Sequence, residues 1–229
     1  KPQSWNSYNR HRPHFDGQPT NSTNHLGMKL FKTFLILFIA LFASNIRAQK
    51  NDSEQLGMAL EYFTSGKFHE SLLIFQELDV RHKLNPRFKA YIGICHYHEW
   101  NYKQAVEYLD SAIPQLEGMA PHERSVYYFA AGESHFQLKN YEQAITYYER
   151  VLEVCYESEK GETFYRLGLA HMFLEHWQAA RDNYILAQIN LTSLLSNRET
   201  STRLSIRSRL SQISRMIAGC EQYIHETSK

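Results

Sequence analysis

The feature that most constrains this chain is a set of residue sizes that recurs with fixed internal spacing. A small residue is followed nine positions later by an aromatic residue, twelve positions later by a second small residue and sixteen positions later by a large apolar one. The four sets are Ala59, Phe68, Ser71, Phe75; Gly93, Tyr102, Ala105, Leu109; Gly132, Tyr141, Ala144, Tyr148; and Gly168, Trp177, Ala180, Tyr184. The spacing inside a set never changes, whereas the steps between sets do, so each set indicates one fixed packing unit.

The third set indicates what this packing unit is. Residues 128–151 predict two short helices joined by a polar turn at Lys139–Asn140, because small and apolar residues recur every three or four positions on each side of that turn. We expect Gly132 and Ala144 to face each other, so that the two helix backbones approach closely. A single hairpin of this kind leaves an apolar face uncovered, and stacking several hairpins would cover it.

These residues resemble the tetratricopeptide repeat (TPR), a helical hairpin with the pattern W-x2-L-G-x2-Y, then A-x3-F, then P, and a period of about 34 residues. The positions that correspond to the first-helix signature are Gln55-x2-Met58-Ala59-x2-Tyr62, Lys89-x2-Ile92-Gly93-x2-His96, Tyr128-x2-Ala131-Gly132-x2-His135 and Phe164-x2-Leu167-Gly168-x2-His171. The resemblance covers roughly residues 52–187. It implies an all-α fold, a TPR-type α-solenoid of about four helical hairpins plus a C-terminal capping helix.

The sequence predicts four segments in the chain. They are a disordered extension at 1–27, a signal peptide at 28–48, a TPR array at 49–196 and a C-terminal capping helix and tail at 197–229. Within the array we expect repeats at about 52–80, 86–113, 122–156 and 161–195, with Lys160–Gly161 as the break before the last. The extension is polar and has no apolar period, so it need not belong to the native protein.

The second segment has the layout of a secretory signal peptide. Lys29 and Lys32 precede an unbroken apolar run at 34–43, and the small residue Ala48 precedes Gln49. The run is shorter than the roughly 20 apolar residues of a spanning helix, so we expect cleavage after Ala48 and no stable membrane span in the mature chain. An uncleaved signal anchor is the alternative if residues 1–27 are genuine.

The predicted location is outside the cytoplasm: the periplasm or the outer membrane of a Gram-negative envelope, with secretion as the second choice. The leader and the closing stretch 217–224 also resemble the N-terminal TPR segment of periplasmic OmpA-like envelope proteins. That resemblance implies a periplasmic complex at the outer membrane. It leaves open the alternative that the chain is the N-terminal part of a larger peptidoglycan-anchored protein.

The capping helix is predicted from an apolar stripe beyond the last repeat. Its residues are separated by three or four positions and are Ile206, Leu210, Ile213, Ile217, Cys220 and Ile224. A repeat array needs a terminal element that covers its last open face and presents a polar face to water. A basic amphipathic helix on a membrane is the rival interpretation, and the stripe's lack of Trp and Phe argues against it.

The histidines invite a metal hypothesis, since the chain has 12 of them. None belongs to an H-E-x-x-H motif. His96, His135 and His171 hold equivalent positions in successive repeats, about 10 Å apart, which is too far to share one ion. We therefore interpret these three as hydrogen-bonded core side chains and predict no metal site.

Other catalytic chemistry also lacks a signature. Cys95, Cys155 and Cys220 form no C-x-x-C pair and are interpreted as free thiols, with one disulfide as the alternative. No phosphate loop, dinucleotide fingerprint or G-x-S-x-G motif is present. The net charge of +1 gives no basis for nucleic-acid binding. The sequence thus predicts a protein that is not an enzyme, with no cofactor.

The resemblance to TPR proteins implies binding on the concave surface, which their first helices line. The corresponding positions are Ile94, Tyr97, His98, Phe129, Glu133, Phe136, Tyr165, Leu169, Met172 and Phe173. Most are aromatic or aliphatic, unlike the Lys, Asn and Arg with which some family members hold a peptide carboxylate. We expect an apolar groove that accepts an extended or helical peptide of a partner protein.

Two alternatives concern the occupant of this groove. The chain's own C-terminal helix can fill it, or a second copy can, which would make the protein a self-associating structural homo-oligomer. An enzyme that uses a histidine or cysteine site is the remaining alternative to a scaffold.

Overall fold

The computed structural model describes residues 31–35, 37–38, 51–195 and 200–227, and no β-strand occurs among them. The predicted extension at 1–27 and the predicted cleavage point at 48 lie outside the described residues. Residues 31–35 and 37–38, within the predicted signal peptide, are helical. Among the described residues, no helix is both long and apolar enough to cross a bilayer.

The array begins with α1 at residue 51. The helices are α1 (51–64), α2 (Phe68–His82), α3 (Pro86–His98), α4 (Tyr102–Ala112), α5 (Pro121–Gln137), α6 (Tyr141–Val154), α7 (Glu157–Phe173), α8 (Trp177–Ser193) and α9 (Thr200–Thr227). A short 3₁₀ helix, Ile113–Gln115, extends α4.

The helices pair into hairpins in chain order. In the first hairpin the Ser71 hydroxyl donates to the Ala59 carbonyl oxygen at 2.9 Å, which joins α2 to α1. Then α3 packs on α4, α5 on α6 and α7 on α8, and each second helix packs on the next helix of the chain. The prediction of an all-α solenoid of four helical hairpins is therefore confirmed.

Each hairpin turns through one residue in the left-handed region. These residues are Gly66, Trp100, Lys139 and Glu175, with φ of 73°, 60°, 63° and 58°. A left-handed residue ends a helix and reverses the chain within a few positions. The turn predicted at Lys139–Asn140 lies where the structure has it.

The glycines of the repeats leave room for the large side chain that lies sixteen positions later in the sequence, which packs directly against them. A Cβ on Gly132 would lie 2.8 Å from Tyr148 Cε1, and one on Gly93 would lie 2.7 Å from Leu109 Cγ. The nearest atoms to Gly132 belong to Tyr148 and Tyr147, and in the equivalent pair of the second hairpin a Cβ on Gly93 would lie 3.3 Å from the Ala105 carbonyl oxygen. Ala144 is buried in a cluster with Tyr148 and Leu167, so it serves the packing of α6 on α7.

The predicted break at Lys160–Gly161 is also wrong. Helix α7 begins at Glu157 and continues through Gly161, and the chain turns instead at Cys155–Tyr156. The Glu159 carboxylate accepts the Tyr156 N–H at 3.1 Å, which caps the helix start. Gly161 is needed for close packing, because a Cβ there would lie 2.7 Å from Leu191 Cγ.

Helix α9 covers the last hairpin, as predicted. Ile206, Ile213 and Cys220 are buried in one cluster with residues of α7 and α8. Tyr223 stacks on Trp177 with ring centroids 4.3 Å apart and planes 8° apart. The apolar stripe that predicted this helix thus faces α8, and its other side faces solvent.

Candidate functional site

A cavity of about 460 Å³ lies against the first helices of three successive hairpins, and we call it the inner cavity. Four of the predicted binding residues line it: Ile94, Tyr97, His98 and Phe129. Eight further lining residues were not predicted: Ser125, Val126, Ala130, Val151, Ser158, Glu159, Glu162 and Thr163. Helices α3, α5 and α7 supply all of these except Val151, which belongs to α6.

The floor of the inner cavity is apolar. Ile94, Ala130 and Val151 are buried members of the core that joins α3 to α6. Val126 is 44% exposed, although it is aliphatic. Phe129 is half-buried, and its ring lies 6.1 Å from the ring of Tyr148. A partner side chain placed here would lose contact with water on several sides, which favours apolar groups.

The α3 wall carries two aromatic side chains with polar atoms. His98 stacks flat on Phe68, with ring centroids 3.7 Å apart. Tyr97 is half-buried, and burial together with the charge of Glu133 raises the pKa of its hydroxyl. A neutral hydroxyl that can donate and accept hydrogen bonds therefore lies beside the apolar floor.

The α7 wall is acidic. Glu159 and Glu162 line the inner cavity, and no Lys or Arg is among the described residues that line it. The side chains of Glu159 and Glu162 are 41% and 35% exposed. One hydroxyl of this wall is internally bonded: that of Thr163 donates to the Glu159 carbonyl at 3.1 Å.

Glu133, one of the predicted binding residues, belongs to a buried ion network beneath the groove. It is only 4% exposed, and the Tyr148 hydroxyl donates to its carboxylate at 2.5 Å. Arg166 Nε lies 3.3 Å from Glu133 Oε1 and 3.3 Å from Glu162 Oε1. Burial raises the pKa of Glu133, and the charge of Arg166 acts against that rise. Glu133 is thus committed to internal contacts.

The same network reaches the capping helix. Arg209 Nε of α9 lies 3.5 Å from Glu162 Oε2. The Arg209 guanidinium also lies over the ring of Tyr165, 4.3 Å from its centroid. A chain of alternating charges therefore connects α5, α7 and α9 along the side of the first helices.

Three predicted residues of the fourth repeat belong to or pack against the cluster that α7, α8 and α9 share. Tyr165 is buried in the cluster that contains Ile206 and Ile213, and Leu169 and Met172 pack against that cluster. These three residues of the predicted face are therefore engaged in packing within the chain.

Phe136 and Phe173 form a separate aromatic cluster with Tyr141. Phe173 is 52% exposed and stacks on Tyr141, with centroids 4.9 Å apart and planes 7° apart. Phe136 meets Phe173 edge-on at 5.6 Å. Neither phenylalanine lines the inner cavity. The ten predicted residues are thus distributed over the inner cavity, the ion network, the α9 interface and this cluster.

Extending the predicted face by one helical turn would have found several of the missed residues. Ser125 and Val126 precede Phe129 by four and three positions, and Glu162 precedes Tyr165 by three. Side chains of a helix lean toward its N-terminus, so residues one turn earlier share the same surface. The family pattern singles out positions around the glycine and gives no weight to that earlier turn.

The repeated histidines have different surroundings. His135 Nε2 lies 3.2 Å from the Asp110 carboxylate, and its ring stacks on Tyr147. In contrast, Nδ1 of both His96 and His171 is buried without a hydrogen-bond partner among the described residues. The interpretation as hydrogen-bonded core side chains therefore holds for His135 and for His96, whose Nε2 lies 3.2 Å from Gln76 Nε2, and is not supported at Nδ1 of His171. No group of three or more potential ligand side chains occurs among the described residues.

The thiols show no sign of activation. Cys95, Cys155 and Cys220 are all free. Burial raises the pKa of Cys95 to about 12, which keeps it protonated at neutral pH. A nucleophilic thiol needs the opposite shift.

A family model described as tetratricopeptide repeat matches residues 125–158, from the first turns of α5 to the start of α7. None of the curated proteins compared with the chain matches it. Similar solved structures include MamA AMB-1, with a TM-score of 0.58 and 14% identity over 76% of this chain and 83% of that one. Another is MamA 41-end from Desulfovibrio magneticus RS-1, with a TM-score of 0.51 and 16% identity over 73% of this chain and 96% of that one.

At these identities the similarity shows the fold alone. It agrees with the stacked hairpins, and the family model identifies the third hairpin as the repeat that the sequence resembles. The third hairpin is therefore a tetratricopeptide repeat by sequence, and the chain has the fold of an all-α solenoid closed by a C-terminal helix.

Proposed function

We propose that this protein is a non-enzymatic scaffold that holds a segment of a partner polypeptide in the inner cavity. The observation that supports this most is an apolar floor open to solvent, with Val126 44% exposed, between walls that carry hydrogen-bonding groups. TPR folds bind proteins through the surface of their first helices. Pockets of about 300–1,000 Å³ are large enough to enclose ligand groups.

Of the predicted residues, we assign partner contact to the four that line the inner cavity. Glu133 has a structural role in the ion network, and the fourth-repeat residues Tyr165, Leu169 and Met172 hold α9. The aromatic cluster of Phe136, Tyr141 and Phe173 is a second exposed surface. Its variants must be tested separately from those of the cavity.

Site-specific photo-crosslinking tests this function. A photo-reactive residue at Ser158, which lines the inner cavity and is exposed, is expected to form an adduct with a polypeptide in the native cell. The same residue at Gln143, exposed on α6, is the matched control and should form none. Adducts of equal yield at both positions, or at neither, would contradict the proposal.

A blocking variant adds specificity to this test. Val126→Trp places a large side chain at the cavity floor, so it should suppress the adduct formed from Ser158. Gln143→Trp adds the same bulk outside the cavity and should leave it unchanged. An adduct whose mass equals two copies of this chain would identify the partner as a second copy, and size measurement across a dilution series would test that result.

We also propose that the protein works after export, in the periplasm or at the outer membrane. The support is the arrangement of Lys29, Lys32, the apolar run at 34–43 and Ala48. Residues 34–35 and 37–38 of that run are helical, which fits the apolar part of a signal peptide. Mass spectrometry of the protein from fractionated cells should give a mature chain that begins at Gln49. Full-length protein confined to the cytoplasm would refute the location.

A further inference from the structure

We propose that the partner segment is cationic: it inserts one apolar side chain into the inner cavity and places Lys or Arg beside Glu159 and Glu162. This inference rests on the proposed function and specifies the chemistry of the partner. It follows from how the two carboxylates of the α7 wall are neutralised within the chain.

The inner cavity has a one-sided charge. Two carboxylates line it, and no Lys or Arg is among its described lining residues. Both carboxylates are on α7, whereas the apolar floor lies on α3, α5 and α6. If a side chain of the partner segment binds on the apolar floor, the adjacent residues of that segment therefore lie next to Glu159 and Glu162.

Glu162 is largely neutralised by the protein itself. Its Oε1 lies 3.3 Å from Arg166 Nε, and its Oε2 lies 3.5 Å from Arg209 Nε. Arg166 is shared with Glu133. The negative charges of Glu133 and Glu162 are matched in number by the positive charges of two Arg side chains, Arg166 and Arg209. This network therefore adds little net charge to the cavity wall.

Glu159 is less closely paired within the chain than Glu162 is. Its Oε2 accepts the Tyr156 N–H at 3.1 Å, which is a neutral hydrogen bond. The same oxygen lies 3.6 Å from Nδ1 of His122, whose ring stacks on Tyr156. At 3.6 Å this contact is longer than a charge-assisted hydrogen bond, so it compensates the carboxylate less directly than a guanidinium at close range would. With its side chain 41% exposed, Glu159 is available to an incoming cation.

An acidic segment would meet the opposite situation. Placing a carboxylate beside Glu159 brings like charges together with no lining cation to separate them. Electrostatic complementarity of this kind selects partners and steers encounter more than it raises affinity. The structure therefore favours a segment in which an aromatic or aliphatic residue is followed closely by Lys or Arg.

The test uses fluorescently labelled synthetic peptides that share one Trp in a Gly/Ser background. After the Trp, one carries two Arg, one carries two Gln and one carries two Glu. Binding to the exported full chain is measured by anisotropy at low and at physiological ionic strength. We expect the Arg peptide to bind about tenfold more tightly than the Gln peptide, the Glu peptide to bind most weakly, and salt to reduce the difference.

Glu159→Gln is the decisive variant. Gln keeps an acceptor for the Tyr156 N–H and so preserves the helix cap while removing the charge. It should cost about fivefold in affinity for the Arg peptide and nothing for the Gln peptide. Glu153→Gln removes an exposed carboxylate on α6, outside the cavity, and should change neither.

The outcomes separate this inference from the proposed function. If all three peptides bind equally and Val126→Trp abolishes their binding, the cavity binds polypeptide but the charge preference is wrong. If the Glu peptide binds best, the inference is likewise overturned. If no peptide binds, or if Val126→Trp has no effect on binding, the cavity is not a polypeptide site and both proposals fail.

Discussion

Gly168→Ala should destabilise the fourth hairpin, although alanine is the better helix former. A Cβ at this position would lie 2.5 Å from Tyr184 Cε1, 2.6 Å from Cδ1 and 3.0 Å from Cγ. Carbon atoms in contact normally lie about 3.5–4.0 Å apart. The tyrosine ring would therefore have to move by about 1 Å. It has little room to do so, because Tyr184 is fully buried in the cluster shared with Ala187 and Ile213.

Two opposing terms determine the size of the effect. Replacing Gly by Ala inside a helix gains about 1 kcal/mol from backbone entropy and propensity. Forcing extra volume into a packed core costs about 1–3 kcal/mol. We expect the steric term to prevail at Gly168, where three ring atoms of one rigid side chain are in the way. The net loss in the free energy of unfolding should be up to about 2 kcal/mol.

Two other glycines provide matched controls. Gly57 in α1 and Gly219 in α9 have nothing within 4 Å of an added Cβ. Only the propensity term acts there, so Gly57→Ala and Gly219→Ala should each stabilise the protein by about 0.5–1 kcal/mol. Urea denaturation followed by circular dichroism gives all three values. A Gly168→Ala protein as stable as Gly219→Ala would refute the idea that close helix approach requires glycine at this position.

Three further predictions concern a turn, a buried imidazole and the ion network. Trp100→Gly should stabilise the protein by about 1 kcal/mol in the same assay, because Trp100 is 79% exposed and its φ is 60°. Burial lowers the pKa of His96, so the unfolded chain takes up a proton first on acidification. Stability should therefore fall as the pH decreases through about 6.5, and His96→Gln should show less of this fall in urea midpoints. Arg166→Met should destabilise the protein by about 3 kcal/mol at neutral pH, and Glu133→Gln in the same chain should restore part of that loss.

The hairpins were predictable because local sequence determines them. Fixed spacing between small and large residues encodes which positions meet inside one helical pair, as with Gly132 and Tyr148. The start of α7 was not predicted correctly, because glycine has two uses that look alike in a sequence. At Gly66 it forms a left-handed turn, whereas at Gly161 it allows α7 to approach Leu191.

The site was predictable only in part, for a different reason. A face of aromatic and aliphatic residues identifies the first-helix surface but not which stretch of it stays open. That depends on where α9 packs, and Arg209 of α9 lies over the ring of Tyr165. Which part of the surface stays open depends also on the ion pairs that form between side chains of different repeats. Glu133 and Arg166 lie on different helices, and no spacing rule within one hairpin brings them together.

The ion network explains why Arg166→Met should be more harmful than the loss of an ordinary surface cation. Arg166 Nε is close to both Glu133 and Glu162, and Glu133 is almost fully buried. Removing one partner of a buried pair leaves the other charge without compensation, which typically costs about 3–5 kcal/mol. The partial exposure of Arg166 places the expected value at the lower end. Lys160→Met, which breaks a pair on the surface of α7, is the matched control and should have little effect.

The pH dependence of this loss distinguishes a buried charge from a simple loss of packing. Burial already raises the pKa of Glu133, and without Arg166 the attraction that opposes this rise is gone. A carboxyl group whose pKa is higher in the folded state binds its proton more tightly there, so stability falls as the pH rises through that pKa. The penalty of Arg166→Met should therefore be largest above the Glu133 pKa and should shrink on acidification through it. A penalty that is constant with pH would mean that Arg166 acts through its aliphatic stem, and the network would then have no electrostatic role in joining α5 to α7.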